Sequence, residues 1–258
     1  MNHLVLAVSK DSSLDLLAKY ADVIVLDIDD LPANLKFYTS LYIRSHFSTP
    51  ELQPQRFRVE TERLIKQART QNPSITFVDG MGTIDEIIAF EDKWRQYEIF
   101  SEYMPETKLL SSVGGTSDFT RPIYKQRLSS RGAGVTWNVE EVKGEPDTWI
   151  VQESLAIGEE VRVYVIKGEV YPIGAIRHSM SADQKTQAYD SRRLNNDEIQ
   201  FATSIAKKVP ILDMIGLDIA RTTDGKLFLM EVKRSPGFGA FEKLTGANLA
   251  DFLYKMPH

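Results

Sequence analysis

Asp218 and Glu231 lie on either side of a turn in the stretch GLDIARTTDGKLFLMEVKRSPGFG, residues 216–239. The apolar runs Leu217–Ala220 and Leu227–Val232 flank Asp224-Gly225 and read as a β-hairpin, because Asp-Gly suits the positive φ angles of a two-residue turn. Counting outward from that pair sets Thr223 against Lys226, Ala220 against Leu229 and Asp218 against Glu231. Like charges directly opposite one another on a sheet repel. The pairing makes chemical sense around a cation, and hard carboxylate oxygens suit magnesium. The alternative is a solvent-facing strand with two surface charges. Strand alternation places Leu227, Leu229, Glu231 and Lys233 on one face, with Lys233 beside the acids. On this reading Asp218→Asn relieves repulsion and raises the stability of the free protein.

A second hairpin turns at Lys167-Gly168 and sets Arg162 against Ile173 and Glu160 against Ala175. Glu160, Arg162 and Arg177 then share one face, far from the turn. Arginine forks suit phosphate or carboxylate; an internal Glu–Arg pair is the alternative. Upstream, the strand Ile123–Leu128 carries Lys125 and runs into the small-residue loop Ser129–Val135. Backbone N–H groups of such a loop approach phosphate oxygens closely, or the loop simply joins two strands.

These groups need elements to hold them. Residues 1–90 alternate short apolar runs with helical segments, the pattern of a parallel sheet. Strands are expected over Leu4–Val8, Val23–Leu26 and Ile75–Val78. Helices are expected over Ser12–Tyr20, with Ser12 or Ser13 as N-cap, over Leu35–Ile43, and over Phe57–Arg69 with a solvated basic face. Residues 45–55 read as a loop. A helix over Asp92–Tyr103 turns Trp94, Tyr97 and Phe100 inward. Ser179–Leu194, with Arg192-Arg193, reads as a polar loop near the substrate, and His178 as incidental. Asn195 or Asn196 caps a helix running to Lys208, and a last helix starts at Ala247.

Composition narrows the class. The chain has 258 residues, 42% hydrophobic and 26% charged, as in ordinary globular proteins. A net charge of −5 points away from a nucleic-acid partner. With no cysteine, disulfides, thiolate metal sites and cysteine nucleophiles are excluded. No apolar run approaches the roughly 18 residues of a membrane span, and the N-terminal run is too short for a signal peptide, so a cytoplasmic location is the expectation. Neither a G-x-G-x-x-G after a strand nor a G-x-x-x-x-G-K-[ST] occurs.

Glu231-Val232-Lys233-Arg234-Ser235-Pro236-Gly237 resembles the E-V-N-x-S-P-G signature of ATP-grasp enzymes, and Asp218 resembles their other metal-binding acid. The branch it is most similar to is the glutamate-ligase (RimK-type) and glutathione-synthetase-like one, over roughly residues 91–254. The resemblance implies an α/β protein of α+β lobes with the ATP-grasp fold: an N-terminal α/β lobe (1–90), a small β lid lobe (91–158) and a C-terminal metal-binding lobe (159–258). It implies ATP and Mg2+ as cofactors, the metal held by Asp218 and Glu231. Lys125 looks like the family's phosphate-binding lysine, and Glu91–Trp94 like the entry motif that makes Lys93 a second one. Trp149–Leu155 is similar to the strand that holds adenine, which implies Gln152, Glu153 and Leu155 as its neighbours. Glu160 matches the acid that binds ribose hydroxyls. The implied reaction joins a small-molecule or peptide carboxylate to an amine through an acyl phosphate, with Arg162, Arg177 and Lys233 at the reacting groups. One departure stands out: the family's Asn is Lys233 here, and a protonated lysine cannot coordinate a metal. Either its ammonium stands in for a cation, or it keeps the metal out and the chain is a catalytically degenerate nucleotide-binding protein.

Overall fold

The computed structural model describes residues 2–8, 10–26, 32–44, 55–114, 118–129, 133–177 and 189–255. The apolar runs near the N-terminus form a parallel sheet of β1 (Asn2–Ala7), β2 (Asp22–Val25), β3 (Tyr38–Arg44) and β4 (Thr76–Phe77), in the order β2-β1-β3-β4. Both faces are covered, as such sheets require. Leu4, Leu6, Leu41 and Ile43 enter one core cluster, while Val5, Ala7 and Tyr42 enter another on the opposite side. The helix expected over Leu35–Ile43 is instead strand β3. Its run Thr39-Ser40-Leu41-Tyr42-Ile43 is rich in β-branched and aromatic residues, which fit a doubly buried strand better than a helix. The first helix, α1 (Leu14–Leu17), is a single turn, and Ser13 does not cap it. The Ser13 hydroxyl accepts hydrogen bonds from the Phe238 and Gly239 N–H groups at 2.9 and 3.2 Å. α2 (Gln55–Gln71) covers the sheet with Leu64, Ile65 and Ala68. The loop expected before it lies, over 45–54, outside the described residues.

α3 (Ile84–Glu91) and α4 (Lys93–Phe100) lead to a small antiparallel sheet of β5 (Thr107–Leu109), β6 (Pro122–Gln126), β7 (Val135–Thr136) and β8 (Trp149–Glu153), ordered β5-β8-β6-β7. Its own core is Leu110, Tyr124, Trp149 and Val151.

The third sheet contains β9 (Ile157–Ile166), β10 (Glu169–Val170), β11 (Ile173–Arg177) and β12 (Tyr189–Arg193). After α5 (Asn196–Ala206), β13 (Met214–Thr222) and β14 (Leu227–Lys233) complete it, in the order β12-β11-β9-β13-β14 with β10 paired to β9. α6 (Gly239–Thr245) and α7 (Leu249–Lys255) close the chain. The polar segment expected as a loop contributes β12, where Arg192 finds Glu159 on β9 at 3.1 Å and Glu198 in the following helix at 2.8 Å. His178 and residues 179–188 lie outside the described residues. Among the described residues, no helix is long and apolar enough to cross a membrane.

A buried charge network joins the first sheet to the segment after β14. Arg234, 1% exposed, donates to Asp79, to the Ile43 carbonyl and to Glu91, the last at 3.0 Å. Arg44 reaches Asp11 and the Pro236 carbonyl, both at 3.1 Å. Removing one partner of a buried pair leaves the other charged and unsolvated. Arg234→Met is therefore expected to lower unfolding stability by about 3–5 kcal/mol, read from urea denaturation. Adding Asp79→Leu should recover part of that loss; a single variant as stable as the parent would mean that the network does not join the lobes energetically.

Candidate functional site

Strand register brings the charged side chains into rows. Arg162 on β9 lies opposite Ala175 on β11 and Asp218 on β13, and Asp218 lies opposite Glu231 on β14. One step along, Glu160 lies opposite Arg177. The Asp218–Glu231 pairing agrees with the sequence expectation, but by a different route. The turn is a three-residue loop: Gly225 alone has positive φ, at +90°, and Thr222 N–H donates to the Lys226 carbonyl at 2.9 Å. Ala220 consequently pairs with Phe228, not Leu229. Met230 is then the extra residue of a β-bulge, which restores Asp218 to Glu231.

The bulge also resets the faces. Leu227, Leu229 and Val232 all pack into the core, while Met230 and Glu231 line a cavity. The expected face of Leu227, Leu229, Glu231 and Lys233 does not exist. In the second hairpin the register differs from expectation by two residues: Tyr171 N–H still bonds the Tyr164 carbonyl at 2.9 Å, but Pro172 has no N–H to donate, and the ladder resumes in β11 two residues on. An even shift preserves the faces, so Glu160, Arg162 and Arg177 do share one. It also turns the expected Arg162–Ile173 and Glu160–Ala175 pairs into Arg162–Ala175 and Glu160–Arg177.

The cations that answer the two acids come from the chain itself. Asp218, 2% exposed, accepts from Arg162 Nε at 2.7 Å, Arg162 Nη2 at 2.9 Å and Arg177 Nη1 at 3.0 Å. Arg177 Nη1 also donates to Glu160 at 2.6 Å. Lys233 Nζ donates to Glu231 Oε2 at 2.6 Å and stands 3.9 Å from Asp218 Oδ2. Burial alone would raise the Asp218 carboxyl, but Arg162, Lys233 and Arg177 hold it well below its usual range. Glu231 is likewise lowered: burial pushes it up, and the Lys233 and Lys93 charges with the Lys233 hydrogen bond together outweigh that. Among the described residues, no group of three or more His, Asp or Glu is placed to hold a metal ion unaided. Asp218, with both oxygens taken by guanidinium groups, is a poor metal ligand as it stands; Glu231 pairs with Lys233 through Oε2 and lines a cavity.

Between the lid sheet and the third sheet lies a cavity of about 210 Å³. Lys93, Lys125, Gln152, Glu160, Arg177, Asp218 and Glu231 all line it, so seven of the eleven expected site residues meet there. Lys93 Nζ donates to the Ser129 carbonyl at 2.7 Å and to its hydroxyl at 3.0 Å. Lys125 Nζ donates to Gln152 Oε1 at 2.6 Å, and Gln152 Nε2 donates to the Thr107 hydroxyl at 2.8 Å. Burial, reinforced by the neighbouring Lys93 charge, pulls Lys125 down to about 8. Burial lowers Lys93 too. Part of the small-residue loop, 130–132, lies outside the described residues.

The other four expected residues stand off this cavity. Lys233 is engaged with Glu231. Arg162 borders a second cavity, of about 180 Å³, with Ser12, Tyr164, Ala175, Gly237 and Phe241. Glu153 ends β8, where its N–H donates to the Glu106 carbonyl at 3.0 Å, and Leu155 follows the strand; both are half-buried. A larger cavity, about 700 Å³, lies between α2 and the start of α3 and contains none of the expected residues.

Two positioning residues escape a reading of the sequence. Asp92 caps α4 by accepting from Trp94 N–H at 2.8 Å and bonds Arg127 Nε at 3.1 Å, which ties Lys93 to the lid. Gln96, 2% exposed, donates to the Val232 carbonyl at 2.8 Å and accepts from the Val232 N–H at 3.0 Å. It thereby pins β14 between Glu231 and Lys233. A polar residue among the helix's aromatics was the signal available for Gln96.

The stability expected of Asp218→Asn now reverses sign. The repulsion it was to relieve is already answered by arginine, and neutralising Asp218 leaves the buried Arg162 guanidinium without a charged partner and half-buried Arg177 with Glu160 alone. The variant is expected to lose about 3–5 kcal/mol in urea unfolding without nucleotide. Unchanged or increased stability would restore the earlier picture of bare facing carboxylates.

The family model of the RimK-like ATP-grasp domain matches residues 136–256. No curated protein matches the sequence. Among solved structures, the ATP-grasp ligase PsnB complexed with minimal precursor superposes with a TM-score of 0.66 at 15% identity, over 98% of each chain. The macrocyclase MdnC of Microcystis aeruginosa MRC, bound with its precursor peptide MdnA, gives 0.62 at 15% identity over 99% of this chain and 98% of that one. N5-carboxyaminoimidazole ribonucleotide synthetase of Thermotoga maritima gives 0.62 at 14% identity over 99% and 76%. Lys93, Lys125 and Glu231 line one cavity between the small antiparallel sheet and the third sheet, and the chain has the ATP-grasp fold, with a match to the RimK-like ATP-grasp domain over residues 136–256.

Proposed function

We propose that the protein is an ATP-dependent carboxylate–amine ligase that activates its acid as an acyl phosphate. The observation that carries this reading is the cavity in which Lys93, Lys125 and Arg177 converge on Glu231 between the lid and the third sheet. Phosphoryl transfer asks a protein mainly for positioning and for charge to stabilise the transferring group. Lys125 and Lys93 would bind the phosphates. Gln152, Glu153 and Leu155 would border adenine, and Glu160 the ribose. Arg177 reaches toward the transferring phosphoryl group from Asp218, which acts as an anchor for both arginines. Magnesium would be held by Glu231 together with the nucleotide's own phosphate oxygens. When bound, it neutralises charge on the phosphoryl group that moves.

The second cavity extends the same sheet face beyond Arg162, so it is suited to the substrate acid, with Arg162 orienting the carboxylate. The carboxylate oxygen attacks the γ-phosphorus, the bond to the ADP oxygen breaks, and an acyl phosphate forms. An amine nitrogen then attacks the acyl carbon, phosphate leaves with the bonding pair, and the nitrogen gives up a proton. The similar structures of PsnB and MdnC hold precursor peptides, which supports peptide side chains as the substrate class here. The domain bounds 1–90, 91–158 and 159–258 belong to the same proposal. A second reading, a nucleotide-binding protein without catalysis, is favoured by one observation: the chain's own cations already engage Asp218 and Glu231.

ADP release with magnesium, measured against a panel of acidic peptides and amino acids, separates the two readings. Amide formation matched by ADP is the expected result; tight nucleotide binding with no turnover on any acid would favour the second.

The lysines yield a sharper expectation. Free Lys125 gives up its proton near pH 8, and phosphate beside it would hold that proton to higher pH. Below pH 8 it is charged in both states and affinity is flat. Above pH 8 binding takes up a proton, so nucleotide affinity should fall by about tenfold per pH unit. Calorimetry in buffers of different ionisation enthalpy would register the uptake. Lys125→Met should weaken nucleotide binding by about tenfold or more and abolish the proton uptake; a variant that binds as tightly as the parent would put the phosphates elsewhere.

A further inference from the structure

Lys233 departs from the ATP-grasp signature, and its geometry bears on the two roles the sequence leaves open. Its ammonium lies 2.6 Å from Glu231 and 3.9 Å from Asp218, so it stands between the two acids of the hairpin. It occupies the place in which a cation bridging them would sit. It is held there by backbone as well as charge. Gln96 clamps Val232, the residue between Glu231 and Lys233, through both its N–H and its carbonyl. Asp218, for its part, has both oxygens engaged by Arg162 and Arg177. Of the two carboxylates, only Glu231 Oε1 is left with no hydrogen bond or ion pair to a side chain described here.

From this geometry we infer that Lys233 is a resident cation that replaces one divalent ion, so that the protein takes a single metal with each nucleotide. The inference deepens the nucleotide-site reading and rests on it. A second ion would have to bind where an ammonium and two guanidinium groups already lie, against their repulsion and with no vacant acid to draw it. The remaining ion has one protein oxygen from Glu231 and takes its other ligands from phosphate and water, which suits magnesium's preference for keeping waters. Lys233 holds the charge at the acid pair constant and, unlike a bound ion, cannot dissociate.

Manganese and a non-hydrolysable imido analogue of ATP test this without turnover. Electron paramagnetic resonance titration of the wild-type protein, saturated with analogue, should count one manganese per protein. Lys233→Asn should count two, and Lys233→Arg, which keeps the charge, should count one. Two ions on the wild-type protein would overturn the inference while leaving the nucleotide reading intact, and so would a count of one on a folded Lys233→Asn variant. A second arm omits nucleotide. Manganese alone should not bind wild type at millimolar concentration, whereas Lys233→Met should bind it at least tenfold more tightly. Manganese binding to the nucleotide-free wild type would overturn the inference by itself. Failure of the analogue to bind any of these proteins, each shown folded by thermal denaturation, would overturn the nucleotide reading instead.

Discussion

The bidentate bond from Arg162 to Asp218 is the contact on which the geometry of the site depends. Both groups are almost wholly buried, and a buried ion pair survives only if its remaining hydrogen-bonding capacity is met. Arg177 meets part of it and in doing so is drawn to Glu160, so four charges on β9, β11 and β13 lock one another in place. The three strands are also the centre of the third sheet, with Val161, Val163, Leu217 and Ile219 filling the core behind them. A displaced arginine would therefore leave an uncompensated charge against a packed apolar layer, and the layer holds the guanidinium groups where they are.

The lid and the N-terminal sheet are attached to this centre by different means. The lid has a small apolar core of its own and is tied to α4 through polar contacts: Asp92 to Arg127 and Lys93 to Ser129. The N-terminal sheet is tied through buried arginines, Arg234 to Asp79 and Arg44 to Asp11, and through extensive shared core. Polar contacts at the edge of a cavity exchange with water more readily than charges sealed in a core. The attachment of the lid is thus the more easily broken of the two.

Much of the chemistry could be read from residue types, and much of the geometry could not. Asp-Gly after an apolar run announced a hairpin, and Asp218 does face Glu231, but only because a turn one residue longer than expected is offset by the Met230 bulge. Nothing in the order of residues distinguishes Met230 as bulged; the preference comes from packing Val232 inward while Glu231 turns to the cavity. The Arg162–Asp218 bond was hidden for a similar reason. It joins strands that are not consecutive, and a search within each hairpin pairs acids and bases only with their hairpin partners. Leu35–Ile43 misled because its apolar residues, broken by Lys36, Thr39 and Ser40, fit no single period, and the burial of Leu41–Ile43 on both faces is a property of the sheet they join. That Lys93 and Lys125 line one cavity was legible in their local motifs, whereas the drop in the Lys125 pKa follows from burial and from the other lysine.

Gln96 bears on something other than alignment. β14 is the last strand of its sheet, and an open edge beside a cavity is a template onto which any extended chain could add. The glutamine amide makes at Val232 the same two bonds that an incoming strand would make. At that position the edge is already paired, by a side chain too short to continue the ladder. An extended chain approaching the acids is denied backbone pairing at that position.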